Sequence, residues 1–255
     1  MDLSNHRILI TNDDGIHAEG IQLLERIVRQ HCDDVWVVAP DEERSGASHS
    51  VSMHTPVRVR QVDARHFAVK GTPTDCAIMA INELMDGPPT LLLSGINRGA
   101  NLAEDLTYSG TAAAAMEGAL LGVPSIALSQ VFTPGEDVPW ETAEQFLPRV
   151  VPPILAAEMA PGTFVNVNFP PVRPDAVSGI HVVDQGQRPP GSFTPEQRTD
   201  GRGVPYYWIK LRYTRGAADE GTDLRAMSEN AVSVCPVQLN MTAMALKDRL
   251  RRHFR

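Results

Sequence analysis

The sequence is short of cysteine, of net positive charge and of long apolar runs, and each shortage removes a class of protein. Cys32, Cys76 and Cys235 are its three cysteines, and they are widely separated. Neither a disulfide framework nor a paired-cysteine zinc site is expected from them, and they fit a reducing, cytoplasmic compartment. Lys and Arg number 23 against 31 Asp and Glu, a formal net charge of -8, so a broad basic surface for long nucleic acid is not expected. No apolar run reaches the ~20 residues of a membrane-crossing helix. The first seven residues, MDLSNHR, lack a secretory pattern. Neither the GxxxxGK[ST] nor the GxGxxG phosphate motif is present. There is also no long-period repeat or low-complexity tract.

What is present is the composition of an ordinary globular chain, with 42% hydrophobic and 21% charged residues over 255 positions. That is enough apolar material for one principal core. Residues 7–12 form a short β-rich run that breaks at Asp13-Asp14-Gly15 and meets a helical stripe of Ile16, Ile21, Leu24, Ile27 and Val28. A second run at 35–39 ends at Pro40, and a long polar loop follows to Pro56. Runs at 57–62 and 66–70 suggest a hairpin, 74–85 a helix, and 91–94 a short buried strand. A helix is expected from Ser109 to about Gly122, strands at 125–129 and 163–168, and between them a helix over 140–159 that Pro148, Pro152 and Pro153 should interrupt.

Strand and helix alternate through residues 1–170, which specifies an α/β fold with a doubly wound, mostly parallel, Rossmann-like sheet. Beyond residue 170 the pattern changes. Residues 171–255 are expected to be an extended arm and oligomerisation segment rather than an independent domain, with strands at 179–184 and 205–213 making a C-terminal β-hairpin arm and a basic terminal helix over 241–252. The Tyr206-Tyr207-Trp208 cluster could pack within that arm or against another subunit.

Parallel strands place the loops at their carboxyl ends along one edge, where open α/β sheets bind ligands. Asp13 and Asp14 follow the first strand, Ser45 lies in the loop after the second, and Asn97 lies just beyond residues 91–94. All four offer oxygen, a donor set suited to magnesium or manganese rather than zinc. Ser109-Gly110-Thr111 opens a helix, and a helix amino terminus favours phosphate. Gly110 would allow close approach there, so a valine at 110 is expected to weaken phosphate binding more than metal binding. Each piece has an ordinary structural reading too, since Asn12-Asp13-Asp14-Gly15 is a good turn and Ser109 a good N-cap.

The ordered blocks ILITNDDGIHAEGI, VVAPDEERSGASHS, GTPTDC, SGINRGANLAEDLTYSGTAAAAMEGALLGVPSIALS and VNVNFP resemble those of the SurE nucleotidase family. The later GRGVPYYWI and TDLRAMSENAVSVCP are similar to family segments as well, although residues 230–236 depart from the usual wording. The resemblance implies a metal-dependent phosphatase acting on 5′- and 3′-nucleoside monophosphates, with short polyphosphate as a further substrate. It implies one divalent ion per subunit on Asp13, Asp14, Ser45 and Asn97, catalysis by Asp13, Asp14 and Asn97, and phosphate contacts at Asn101, Ser109, Gly110 and Thr111. A homodimer or homotetramer is the expected assembly. The alternative is a regulatory module that uses the same cation and helix terminus to retain a nucleotide without cleaving it.

Several other residues have both readings. His49 and His54 are candidate acid-base groups but sit in a loop where solvated histidines are usual. Arg44 falls in a charged run that suits a surface turn, whereas Arg98 adjoins a proposed ligand. Cys76 reads as a buried structural thiol. Asp223 either reaches the site or caps a helix.

Overall fold

The run Ile8–Thr11 (β1) is buried at every position, as is Val35–Pro40 (β2). Unbroken burial marks strands covered on both faces, which is how parallel sheets sit between helices. The computed structural model describes residues 1–189, 193–211 and 218–254. In chain order the further strands are Arg58–Gln61 (β3), His66–Lys70 (β4), Leu91–Arg98 (β5), Ser125–Gln130 (β6), Thr163–Phe169 (β7), Ile180–Val182 (β8), Phe193–Thr199 (β9), Pro205–Leu211 (β10) and Val232–Gln238 (β11). The helices are Glu19–Arg29 (α1), Pro73–Met79 (α2), Gly110–Leu120 (α3), Trp140–Ala156 (α4), Asp223–Ser228 (α5) and Met244–His253 (α6).

Nine strands form one sheet in the order β3-β4-β2-β1-β5-β6-β7-β11-β8. β1 pairs in parallel with β2 on one side and β5 on the other. The chain therefore reverses its direction of winding at β1, and the crevice at the carboxyl ends of β1 and β5 is a topological switch point. The strand period of two sends alternate side chains to opposite faces. Ile8, Ile10, Val35, Val37, Leu91 and Leu93 pack with α1 and α4, while Leu9, Trp36, Val38 and Leu92 pack with α2 and α3.

Three expectations are corrected by this architecture. α4 runs through Pro148, Pro152 and Pro153 without a break. Pro148 and Pro152 are partly exposed and Pro153 is exposed, so the carbonyls their rings deprive of a partner lie toward solvent, while Phe146, Leu147, Val150, Val151 and Ile154 hold the helix to the core. β5 extends past Ser94 to Arg98, with its register on β6 shifting between Ser94 and Asn97. Asn97 thus belongs to a strand end, aimed by an irregularity of the kind that re-aims side chains near sites. Finally, residues 171–255 are not wholly an arm. β11 inserts between β7, antiparallel, and β8, parallel, so the central sheet continues beyond residue 170.

Among the described residues only the β9-β10 hairpin stands apart as a two-stranded sheet, and the strand expected at 179–184 is β8 of the main sheet instead of part of that hairpin. Tyr206, Tyr207 and Trp208 lie on β10 and are exposed, with Tyr206 and Trp208 in edge-to-face contact at 6.3 Å. Positions 212 and 213 of the expected strand lie outside the described residues. Among the described residues, no helix is long and apolar enough to cross a membrane.

Candidate active site

The polypeptide leaves β1 through Asn12, whose side-chain amide donates to the Gly15 carbonyl at 2.9 Å. This short bond turns the chain so that Asp13 and Asp14 remain at the strand end instead of following α1 outward. Asp13 is only 4% exposed. The Thr111 hydroxyl donates to its Oδ1 at 2.5 Å, and the Asp13 carbonyl accepts the Arg44 N–H at 2.8 Å. One residue therefore joins β1, the loop after β2 and the first turn of α3.

Burial raises Asp13 from 3.8 to about 6, opposed by the Thr111 hydroxyl and reinforced by the Asp14 charge. Burial likewise raises Asp14, against the Arg98 N–H that donates to its Oδ2 at 3.1 Å. Two neighbouring carboxylates whose charge is disfavoured in this way are suited to a cation, which reverses the local electrostatics. Among the described residues no three His, Cys, Asp or Glu side chains converge. The available donors are two carboxylates with a hydroxyl and an amide, an all-oxygen set that fits a hard cation.

A cavity of about 620 Å³ opens beside these groups. Of the sequence-derived candidates, Asp13, Ser45, Asn97, Asn101 and Ser109 line it. Ser45 is exposed and its hydroxyl donates to Glu43 at 2.8 Å, so it must turn to meet an ion at Asp13. The Asn97 side-chain amide donates to the Gly99 carbonyl at 3.2 Å, which leaves its own carbonyl oxygen for a ligand. Asn101 is buried, donates one amide hydrogen to Ser129 Oγ at 2.9 Å and is braced by Asn166 and Asn168. Ser109 Oγ accepts the Ala112 N–H at 3.0 Å as the N-cap of α3, and its own hydroxyl hydrogen remains to meet an anion.

Asp14, Gly110 and Thr111 are not among its lining residues; Asp14 is partly exposed, and Gly110 and Thr111 are buried. For Gly110 the expected reason was closeness to phosphate, and the structure adds one of its own. A Cβ there would lie 2.8 Å from Asp13 Cβ, 2.9 Å from Asp13 Oδ2 and 2.9 Å from Pro73 Cγ. The neighbour that needs the missing side chain is Asp13 itself.

Other candidates separate cleanly. His49 Nε2 meets Glu117 Oε2 at 2.8 Å, outside the cavity. Arg44 contributes its backbone to the site and turns its guanidinium to Glu42 at 2.7 Å. Arg98 lines the cavity with its guanidinium over the Phe132 ring at 4.7 Å. Cys76 is fully buried and its thiol is pushed well up by burial. Sequence reasoning missed Leu102, Asp105, Tyr108, Phe132 and Arg188, all of which line the cavity. None carries a spacing signal, because they come from three separate segments that meet only in the folded chain.

A family model described as "Survival protein SurE" matches residues 8–191. The protein called 5'-nucleotidase SurE in Chelativorans sp. (strain BNC1) is 51% identical over 247 residues, covering 96% of this chain and 98% of that relative. Its namesake in Methylobacterium nodulans is 52% identical over 239 residues, covering 92% of this chain and 94% of the relative. The crystal structure of the SurE protein from Aquifex aeolicus superimposes with a TM-score of 0.81 at 36% identity, covering 97% of this chain and 99% of the other.

Proposed function

This chain belongs to the survival protein SurE family, and from that premise we propose that it hydrolyses nucleoside 5′- and 3′-monophosphates to nucleoside and phosphate, with one divalent ion per subunit. The single observation that carries the reading is Asp13, a buried carboxylate at the switch point of the sheet that is hydrogen-bonded to the first turn of α3. Cation and anion sites are thereby adjacent, which is what a phosphomonoester held by a metal requires.

Magnesium or manganese would be held by Asp13, Asp14, Ser45 and Asn97, and when bound would polarise a phosphoryl oxygen. Asp13 and Asp14 supply the negative charge, with Thr111 Oγ1 and the Arg98 N–H fixing one oxygen of each. Ser109 and Asn101 orient the phosphate by donating hydrogen bonds, and the amino terminus of α3 stabilises its charge. The apolar wall of Val131 and Phe132 excludes water beside the ester. Short polyphosphate is an additional substrate under this reading.

The test is a substrate panel on metal-dialysed protein. Phosphate release from AMP and 3′-AMP is expected to rise at least about 100-fold on readdition of magnesium or manganese, since a metal is worth several kcal/mol of charge stabilisation. Zinc should support less. Binding of AMP with no metal-dependent release would replace this reading with that of a regulatory nucleotide-binding module.

Assembly into a homodimer or homotetramer is part of the same proposal. No residue of α6 is buried, and Met241, Met244, Leu246 and Leu250 are exposed along this segment. Exposed apolar side chains on a helix with no buried residue suit a partner subunit. Deleting residues 240–255 is expected to lower the mass measured by light scattering toward that of a monomer, whereas an unchanged mass would remove α6 from the interface. A cytoplasmic location is supported by the three cysteines, all free and buried.

A further inference from the structure

Asp223 takes no direct part in the cavity surface, yet it is completely buried. Capping of α5 does not explain it, because Thr222 already fills that role by accepting the Arg225 N–H. Instead its carboxylate collects three backbone N–H groups, two of them from distant parts of the chain and one from the next residue. Oδ2 accepts Ala103 N–H at 2.8 Å, and Oδ1 accepts Gly186 N–H at 2.9 Å and Leu224 N–H at 2.7 Å. The approach is close enough that a Cβ on Gly186 would lie 2.7 Å from Asp223 Oδ1. Ala103 has φ 52°, a left-handed conformation that alanine keeps only where its surroundings hold it.

The two segments pinned by Asp223 also hold each other. Gln185 Nε2 donates to the Ala103 carbonyl at 2.8 Å. The Arg188 guanidinium donates to the Leu102 carbonyl at 3.0 Å and forms a fork on Asp105 at 3.1 and 3.0 Å. Leu102, Asp105 and Arg188 all face the cavity. None of Asp13, Asp14, Ser45 or Asn97 belongs to this knot of bonds. We propose that Asp223 is a positioning residue that sets the cavity wall formed by residues 102–105 and Arg188, and so determines how the nucleoside portion of the substrate is received. The inference rests on the nucleotidase reading above.

Asparagine at 223 keeps the size but replaces one acceptor oxygen by an N–H donor, which opposes either the Ala103 or the Gly186 N–H. In full-length Asp223→Asn with saturating manganese, KM for AMP is expected to rise fivefold or more. The manganese half-saturation and kcat should stay within about twofold, since the metal cluster is not touched. KM for p-nitrophenyl phosphate, which lacks a nucleoside, should move less than KM for AMP. A merely structural role would lower thermal stability, metal affinity and turnover of both substrates together, and that pattern would overturn the proposal. So would an unchanged KM for AMP. If the asparagine variant does not melt cooperatively, Gln185→Ala decides, because that side chain is exposed and its loss frees the Ala103 carbonyl alone. A twofold or greater rise in KM for AMP at constant kcat supports the wall, and no change rejects it. Wild-type protein that releases no phosphate from AMP would overturn the nucleotidase reading and this inference with it, whereas active wild type with unaltered variants would overturn this inference only.

Discussion

Asp13→Asn is expected to fold, to lose metal-supported phosphate release by on the order of 10²–10³-fold, and to gain stability when no metal is present. The first effect follows from deleting one of two charges proposed to hold the cation while keeping size and the acceptor for Thr111 Oγ1. The second follows from proton linkage. Burial raises the folded-state Asp13 from 3.8 to about 6, so the folded protein holds this proton more tightly than the unfolded chain does. The stabilisation from the protonated form is complete below about pH 4 and is lost as pH rises toward 6. At neutral pH the ionised carboxylate then costs the metal-free fold on the order of 3 kcal/mol. Asparagine has no charge to bury and escapes this cost.

Melting curves at two pH values separate the two effects. Near pH 4 metal-free wild type and variant should melt together, and at pH 7.5 the variant should melt several degrees higher. Manganese should raise the Tm of wild type and leave that of the variant nearly unmoved, because binding stabilises only the state that binds. Normal turnover by a folded variant at limiting manganese would remove Asp13 from the ligand set.

Gly110→Ala is expected to damage the metal site as well as phosphate binding, in contrast to the selective phosphate defect that the helix-start pattern alone suggests. The added methyl meets Asp13 Cβ at 2.8 Å, Asp13 Oδ2 at 2.9 Å and Pro73 Cγ at 2.9 Å. Two of those atoms belong to the residue proposed to hold the cation, and the third opens α2. Relief requires α3 to move away from β1, which also lengthens the bond between Thr111 and Asp13. Overpacking of this kind costs about 1–3 kcal/mol. Manganese half-saturation should rise at least about tenfold, the equivalent of 1.4 kcal/mol lost at the site. Calorimetric titration with manganese alone and with inorganic phosphate in excess manganese distinguishes the cases. A folded variant with wild-type manganese affinity and weakened phosphate binding would restore the simpler view of Gly110 as a phosphate cradle.

Much of the fold was legible without coordinates because it depends on local periodicity. The apolar runs at 8–11 and 35–40, each ending in a turn, dictate buried parallel strands, and the Ser109 cap with its alanine-rich run dictates α3. Parallel strands then place Asp13, Ser45 and Asn97 on one edge, a conclusion that needs only chain direction. The placement of residues 232–238 was not legible. A strand of seven residues can pair at a sheet edge or inside it with the same pattern, and only long-range contact with β7 selects the interior. The prolines of α4 misled for a related reason, since tertiary packing of one face outweighed the local penalty on the other.

The sequence by itself determined the chemistry on offer: an all-oxygen donor set, a helix amino terminus able to meet it, and a formal net charge of -8. Only the tertiary structure decided which groups share a space. It committed Thr111 to Asp13, set Gly110 close against Asp13, and brought Arg188 across to Asp105, with Asp223 beneath. These are contacts between residues tens of positions apart, with no period or motif to announce them. They exist because burial leaves each N–H and carboxylate no solvent, and the partners that remain are set by how the chain closes on itself.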